Sequence, residues 1–478
     1  MLFTDLPNDI LILVLQYLTV HELVASARSC KLLYSLIIDV GWAAYLRTHP
    51  RPSFSLLRSR KSWSTHAQTY YDFLTDRSWS RAEFIARPLS KPWPAKSQPV
   101  LAINSSRLII AAGPCITSYT FGSSVDREAP PIRLEGSFYF GQSERAIGIT
   151  SMTLVDNGDP HETLCLGFQD GTLQYVSLKP SSLGSSIFEV TVLSSSQLQD
   201  GQYIESLSSE RNILLTLTST GTATLTNLHS ILPEYGDVAL NARGWVSHLC
   251  LDSPGPYAAF GTSSTRPLKV HSIADGQLSR VPTAILHPHI DLHFTQVKQI
   301  SSAVYGISRA PLASPWGASP QILVSGWFDG QVRCHDLRSS FRVTHEASNE
   351  ATSLRPVLTM QDPLQLESFY SVSCGGGSSS YIAAGSARHS VVSFWDIRSP
   401  RAGWSVHAPG NDRSPVYDVI LESSRLYGVT QSRPFVYDFG PGVNSGTYPE
   451  LPRGRGIDGL KRKKNTSEFG YYVTMYHH

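Results

Sequence analysis

Near the N-terminus, Ile10, Leu11, Val14, Leu15 and Leu18 recur at i, i+1, i+4, i+5 and i+8, which is one broad apolar face of a helix. Leu6-Pro7 opens this segment, and Asn8 or Asp9 is placed to cap it. Thr19 to Glu22 interrupts the pattern. A second helical stretch then runs through Leu23, Ala27, Cys30 and Lys31, and a third from about Leu32 to Leu36, ahead of Trp42 and Tyr45. So small a cluster buries little by itself and gains most from a partner. Residues 49–98 are rich in Arg, Ser, Trp and Pro and read as a connector with a helix around His66 to Leu74. Its Trp63, Tyr70, Tyr71, Trp79 and Trp93 predict that it docks on something.

From about Pro99 onward, short runs of Val, Ile, Leu, Tyr and Thr are broken by Gly, Ser, Asp and Pro, the texture of many short strands. The runs repeat. Each unit has an apolar run, a second run of small and apolar residues ending near Gly, a turn, and a third alternating run. Units begin near Val100, Ile147, Ile213, Val246, Val304, Phe369 and Val416. A spacing of roughly 40 to 60 residues is the period of a β-propeller with four strands per blade and some long loops. The run Gly375-Gly-Gly-Ser-Ser-Ser380, between two strands of the sixth unit, reads as a flexible loop and not as a phosphate cradle. Phe469 to Tyr476 reads as a last strand that closes the ring and so removes open sheet edges.

Of the 478 residues, 41% are apolar and 16% charged, against roughly 25% charged for an average domain. Forty basic against 38 acidic residues leave no overall field for a phosphate backbone, which argues against nucleic acid. Divided along the chain, residues 92–452 carry 23 basic and 29 acidic side chains, while residues 453–464 carry six and one. The acidic balance of the β region favours a neutral or basic target. Lys461-Arg-Lys-Lys464 reads either as a nuclear localisation signal or as a solvated loop. The longest apolar run, Ile10 to Leu15, is too short to span a membrane, and Asp5 and Asp9 argue against a signal peptide. Six scattered cysteines without a Cys-x-x-Cys pair fit a reducing compartment, cytoplasmic or nuclear.

Catalytic signatures are missing one after another: no Gly-x-Ser-x-Gly, no His-Glu-x-x-His, no Walker loop and no Gly-x-Gly-x-x-Gly after a strand. His287-Pro288-His289 with Asp291 and His293 lacks a second ligand group at usable spacing and reads as a surface loop. The expectation is a chain that is not an enzyme and has no cofactor and no metal.

Trp395-Asp396, with His335-Asp336 and Tyr437-Asp438, resembles the strand-end signature of WD-repeat propellers, and Asp329-Gly330 and Asp170-Gly171 stand where that family places a tight turn. Leu6-Pro7-Asn8-Asp9-Ile10-Leu11, Val14-Leu15-x-Tyr17-Leu18, Glu22-Leu23, Arg28-x-Cys30-Lys31, Leu36 and Trp42 resemble an F-box in order and spacing, with Leu33 or Tyr34 where many members carry Trp. The combination is similar to F-box/WD-repeat proteins. That resemblance implies a mainly β fold: a helical F-box at 1–48, a connector at 49–98 and a seven-bladed WD-type propeller at 99–478.

It further implies a substrate-recognition subunit of an SCF-type ubiquitin ligase, whose F-box binds a Skp-type adaptor, and through it a cullin, while the propeller holds a protein substrate. By family resemblance the adaptor contacts are Leu6, Pro7, Ile10, Leu11, Val14, Leu15, Leu18 and Leu23; these leucines also read as the core of a small helical cap. Mapped by phase onto the family's substrate face, Tyr305, Tyr370 and Tyr417 take the second position of three inner strands, and Trp327, Phe328 and Arg388 lie at second-strand exits. The tyrosines also read as packing between blades. One arginine among aromatics argues against a multi-arginine phosphate pocket and for anchoring apolar or basic side chains. Two other readings stay open, a non-ligase scaffold that binds the adaptor and a propeller enzyme capped by helices.

Overall fold

The computed structural model describes residues 6–94, 96–124, 128–141, 147–156, 162–179, 188–198, 202–229, 236–288, 301–339, 351–410 and 413–451, and the backbone of 473–477. Four short helices come first: α1 (Asn8–Leu15), α2 (Val20–Ser29), α3 (Lys31–Leu36) and, after a π-helical turn at Ile37–Gly41, α4 (Trp42–Thr48). Leu11, Leu15, Leu23, Leu36, Ile37, Trp42 and Tyr45 form their common core. Neither Asn8 nor Asp9 caps α1, because Pro7 takes the cap position without a side-chain bond. The expected interruption at Thr19 to Glu22 is the start of α2. Thr19 and Glu22 exchange side-chain and backbone bonds in a capping box, which satisfies amides that the helix leaves unpaired.

The connector holds α5 (Leu57–Ser62) and α6 (Thr65–Ser80), the latter longer than its apolar pattern predicts. It then enters the β structure, since Ile85–Pro88 pairs with Pro434–Asp438. The propeller sheet therefore begins fourteen residues ahead of the expected boundary at 99.

Antiparallel strands in a propeller arrangement make up the rest. Seven inner strands, Val100–Ile103, Ile149–Val155, Ile204–Glu210, Arg243–Cys250, Ser302–Arg309, Phe369–Gly375 and Val416–Leu421, follow one another around a central channel, the last packing on the first. Seven separate blades were expected, and the hydrogen bonding corrects this. Five sheets of four or five strands stand alone, while the fourth and fifth units share one sheet of ten strands. The cause is a ladder that continues from Ser263 and Ser264 to Ala303 and Ser302, together with Thr352–Leu354, which pairs in parallel with Ala284–Leu286. The closing strand also differs from expectation. Val473–His477 adds outside Ala402–His407 as a fifth strand, and the connector's Ile85–Pro88 completes the last unit.

Second strands are buried along most of their length, and Ile322–Trp327 and Tyr381–Ser386 along all of it, because neighbouring sheets cover both faces; such strands read as unbroken apolar runs. The glycine near the end of these runs has a packing cause. A Cβ on Gly326 would stand 2.7 Å from Val372, and one on Gly385 would stand 2.7 Å from Val416, each on the next inner strand. Short polar side chains join the inner strands to one another. Ser206 and Ser208 accept from the amides of Ser247 and Leu249, Ser373 accepts from Leu421, and Asp418 accepts from Leu101 across the closure.

Candidate functional site: two opposite faces of the ring

Every inner strand runs from one face of the ring to the other, so strand starts and strand ends mark two opposite faces. The connector is fixed to the face where inner strands end. Glu422, buried just past the last inner strand, accepts from the amides of Phe54 and Ser55 and the hydroxyls of Ser53 and Ser55. Trp79 stacks on Phe439 and Tyr381, and Tyr71 reaches Ser424. Gly376 and Gly377 have positive φ and lie against the Trp79 ring, and Ser379 donates to the Pro50 carbonyl. The expected flexible loop at 375–380 is thus the seat of the connector. Two ion pairs inside the connector, Arg51 with Asp76 at 2.5 Å and Arg60 with Asp72 at 2.7 Å, hold the chain entering α5 against α6.

The helical unit packs on α6 in turn, through His21 edge-on to Phe73 and Trp42 edge-on to His66. Of the expected adaptor contacts, Leu11, Leu15 and Leu23 are buried in the unit's own core, and Leu6, Val14 and Leu18 are half-buried. Pro7 and Ile10 are exposed. The first three thus occupy the places that the helical-cap reading gives them. Outward-facing residues include Leu13 on α1 and Tyr17 in the turn that follows it, 52% and 82% exposed, at i+3 and i+7 from Ile10. Leu32, Tyr34 and Ile38 are exposed beyond them, and Leu33 is buried. A signal for these residues existed: α1 is apolar all round from Ile10 to Leu15, so one side fills the core and the other is left bare.

At the opposite face the inner strands begin. There Trp245, Tyr305, Tyr370 and Tyr417, from four successive inner strands, form a continuous row of rings with centroid separations of 5.0, 5.1 and 6.0 Å. The three predicted tyrosines are brought together, and Trp245 was missed because its strand was read as starting at Val246. Arg243 lies over the Trp245 ring at 4.0 Å, with Glu205 3.7 Å from its guanidinium. Burial raises the Glu205 carboxyl above its usual range, and Arg243 opposes that. These side chains, with Trp93 and Lys91 from the stretch after Ile85–Pro88, line a cleft of 1330 Å³.

Trp327 is not part of this mouth. It is buried, donating to the Ser325 hydroxyl at 2.9 Å under the Arg333 guanidinium, because its position on a strand covered on both faces turns it inward. Phe328, the next residue, is exposed and accepts at its carbonyl from Ser368. Arg388 is 70% exposed on the same face and 3.5 Å from Glu367. His289, Asp291 and His293, and Lys461 to Lys464, lie outside the described residues.

Residues 3–44 match the F-box-like family. A solved structure, that of Chaetomium thermophilum Sqt1 bound to the N-terminus of the ribosomal protein L10, is similar over 70% of this chain and 81% of that one, at 14% identity and a TM-score of 0.46. No curated protein matches the chain. The molecule is thus an F-box-like helical segment joined through a docked connector to a β-propeller with an aromatic mouth.

Proposed function

We propose that this chain is the substrate-recognition subunit of an SCF-type ubiquitin ligase. The F-box-like helices bind a Skp-type adaptor, the propeller of WD-type units captures a protein target, and the chain itself makes and breaks no bond. The observation that carries the reading is the opposition of the two surfaces. The connector is fixed where inner strands end, and the aromatic mouth opens where they begin. A receptor needs this separation, since a target must reach the ubiquitin-charged enzyme without competing with the adaptor for one face. Catalysis by such a subunit is proximity, an increase in effective concentration. Its place of work is the cytoplasm, the nucleus or both.

Co-purification with a Skp-type adaptor and a cullin tests the reading. The expected result is a stable ternary complex that transfers ubiquitin to a protein retained by the propeller. An adaptor complex that never recruits the cullin assigns the chain to scaffolding, and failure to bind the adaptor at all overturns the reading.

A further inference from the structure

Beneath the aromatic mouth the channel holds a lumen of 190 Å³, whose wall shares Tyr305, Tyr370, Tyr417 and Glu205 with the cleft above. This is smaller than the roughly 300–1,000 Å³ of small-molecule pockets, so it suits one side chain better than a metabolite. Two charged side chains stand on the wall, Glu205 and Asp418, and both are acidic. They come from inner strands on opposite sides of the ring. Asp418 has no ion pair among the described residues; its carboxylate is held by the backbone amides of Leu101 and Val419. Glu205 has Arg243 at 3.7 Å, too far for a hydrogen bond.

We infer that this lumen receives one lysine or arginine side chain of the captured protein, its aliphatic stem along Tyr305, Tyr370 and Tyr417 and its cationic head at Glu205 and Asp418. The inference rests on the propeller being the capture domain. Several features support it. Tyrosine faces attract a cation through the ring quadrupole, and the long stems of Lys and Arg cover apolar surface while the head seeks charge. The chain's own Arg243, seated over Trp245 beside Glu205, displays the same recognition a few ångströms outside the lumen. The basic residues near the mouth, Lys91, Lys96 and Arg243, line the outer cleft, and none of them lines the lumen wall. Burial pushes the Asp418 carboxyl up to about 7, a shift that a cationic head beside it would oppose.

The test uses the full chain and an immobilised library of acetylated heptapeptides whose central residue is fixed as Lys, Arg, Leu or Glu. The expected result is retention of the Lys and Arg sets at least about tenfold above the Glu set, with Glu205→Gln and Asp418→Asn each removing most of that preference. Asp418→Asn keeps an oxygen acceptor for the Leu101 amide, and Glu205→Gln lies at the rim, so both are chosen to retain the fold; melting curves verify this. The wild-type selection is informative by itself if neither does. Enrichment of Leu or Glu centres overturns the cationic lumen and leaves the propeller as a capture domain. No enrichment of any set overturns both, while adaptor binding by the same preparation reports on the helical unit separately.

Discussion

Trp79 lies flat on Phe439, with ring centroids 3.6 Å apart and planes 12° from parallel, and its indole N–H donates to the Ser423 carbonyl at 2.9 Å. Tyr381, Phe394 and Trp404 surround the same indole, so a connector residue sits inside the core of the last two units. The distance from helical unit to mouth is therefore set by packing and not by a free tether. Trp79→Ala should cost about 3–5 kcal/mol, the range for emptying a large buried aromatic site. Urea unfolding would measure it. A loss below about 1 kcal/mol would show that the connector is only resting on the ring.

On α1 and the turn after it, neighbouring residues should behave oppositely. Leu13→Glu with Tyr17→Glu alters bare surface, so the fold should persist while adaptor binding falls by at least about a hundredfold, as for central anchors of an interface. Leu15→Ala removes a core side chain and should cost about 2–5 kcal/mol, reducing adaptor binding only through unfolding of the unit. Titration calorimetry paired with circular dichroism distinguishes the two.

Gly261 tests how closely successive units approach. A Cβ there would run into the carbonyl of Val304 and stand 2.6 Å from Val246. Backbone cannot swing aside as a flexible side chain can, so Gly261→Ala should destabilise by about 1–3 kcal/mol despite adding one methyl group. Gly113→Ala, where nothing lies within 4 Å but φ is +58°, isolates the conformational contribution and should cost about 1 kcal/mol.

Acid should weaken the fold through His335. The ring is fully buried, its Nε2 hydrogen bonded to the His287 carbonyl at 2.9 Å, and burial lowers its pKa from 6.5 to about 3. Between those values the unfolded chain binds a proton that the native chain does not. This contribution is therefore intact above pH 6.5 and is lost as pH falls toward 3, with a limiting slope of about 1.4 kcal/mol per pH unit. Urea midpoints between pH 7.5 and 4.5 should fall more steeply for the native chain than for His335→Gln. Parallel slopes would contradict the assignment.

What could be read from the sequence follows from how many sides of an element are covered. Repeating apolar runs revealed the strand units because second strands are buried on both faces, and the phase of those units placed Tyr305, Tyr370 and Tyr417 on one rim. The same double burial hid the orientation of Trp327, since alternation says nothing when neither side is polar. α1 failed in the same way: with apolar residues all round, Leu11 and Leu15 could not be told from Leu13 and Tyr17. The fusion of two units was invisible because it depends on Ser263, Ser264, Ser302 and Ala303, which carry no strong strand signal. Nor did a Gly-Ser run announce itself as a receptor for Trp79, because the glycines matter there for what packs against them.

The strand Ile85–Pro88 has a consequence in time. Its partner Pro434–Asp438 lies about 350 residues later, so on a ribosome adding roughly 5–20 residues per second the ring stays open for tens of seconds after that strand emerges. The first four helices share a core made only of residues 6–45 and need no such wait. During synthesis, the bare apolar surface of the helical unit is complete well before the mouth exists, so under the proposed function a nascent chain could join its adaptor before it is able to hold a target.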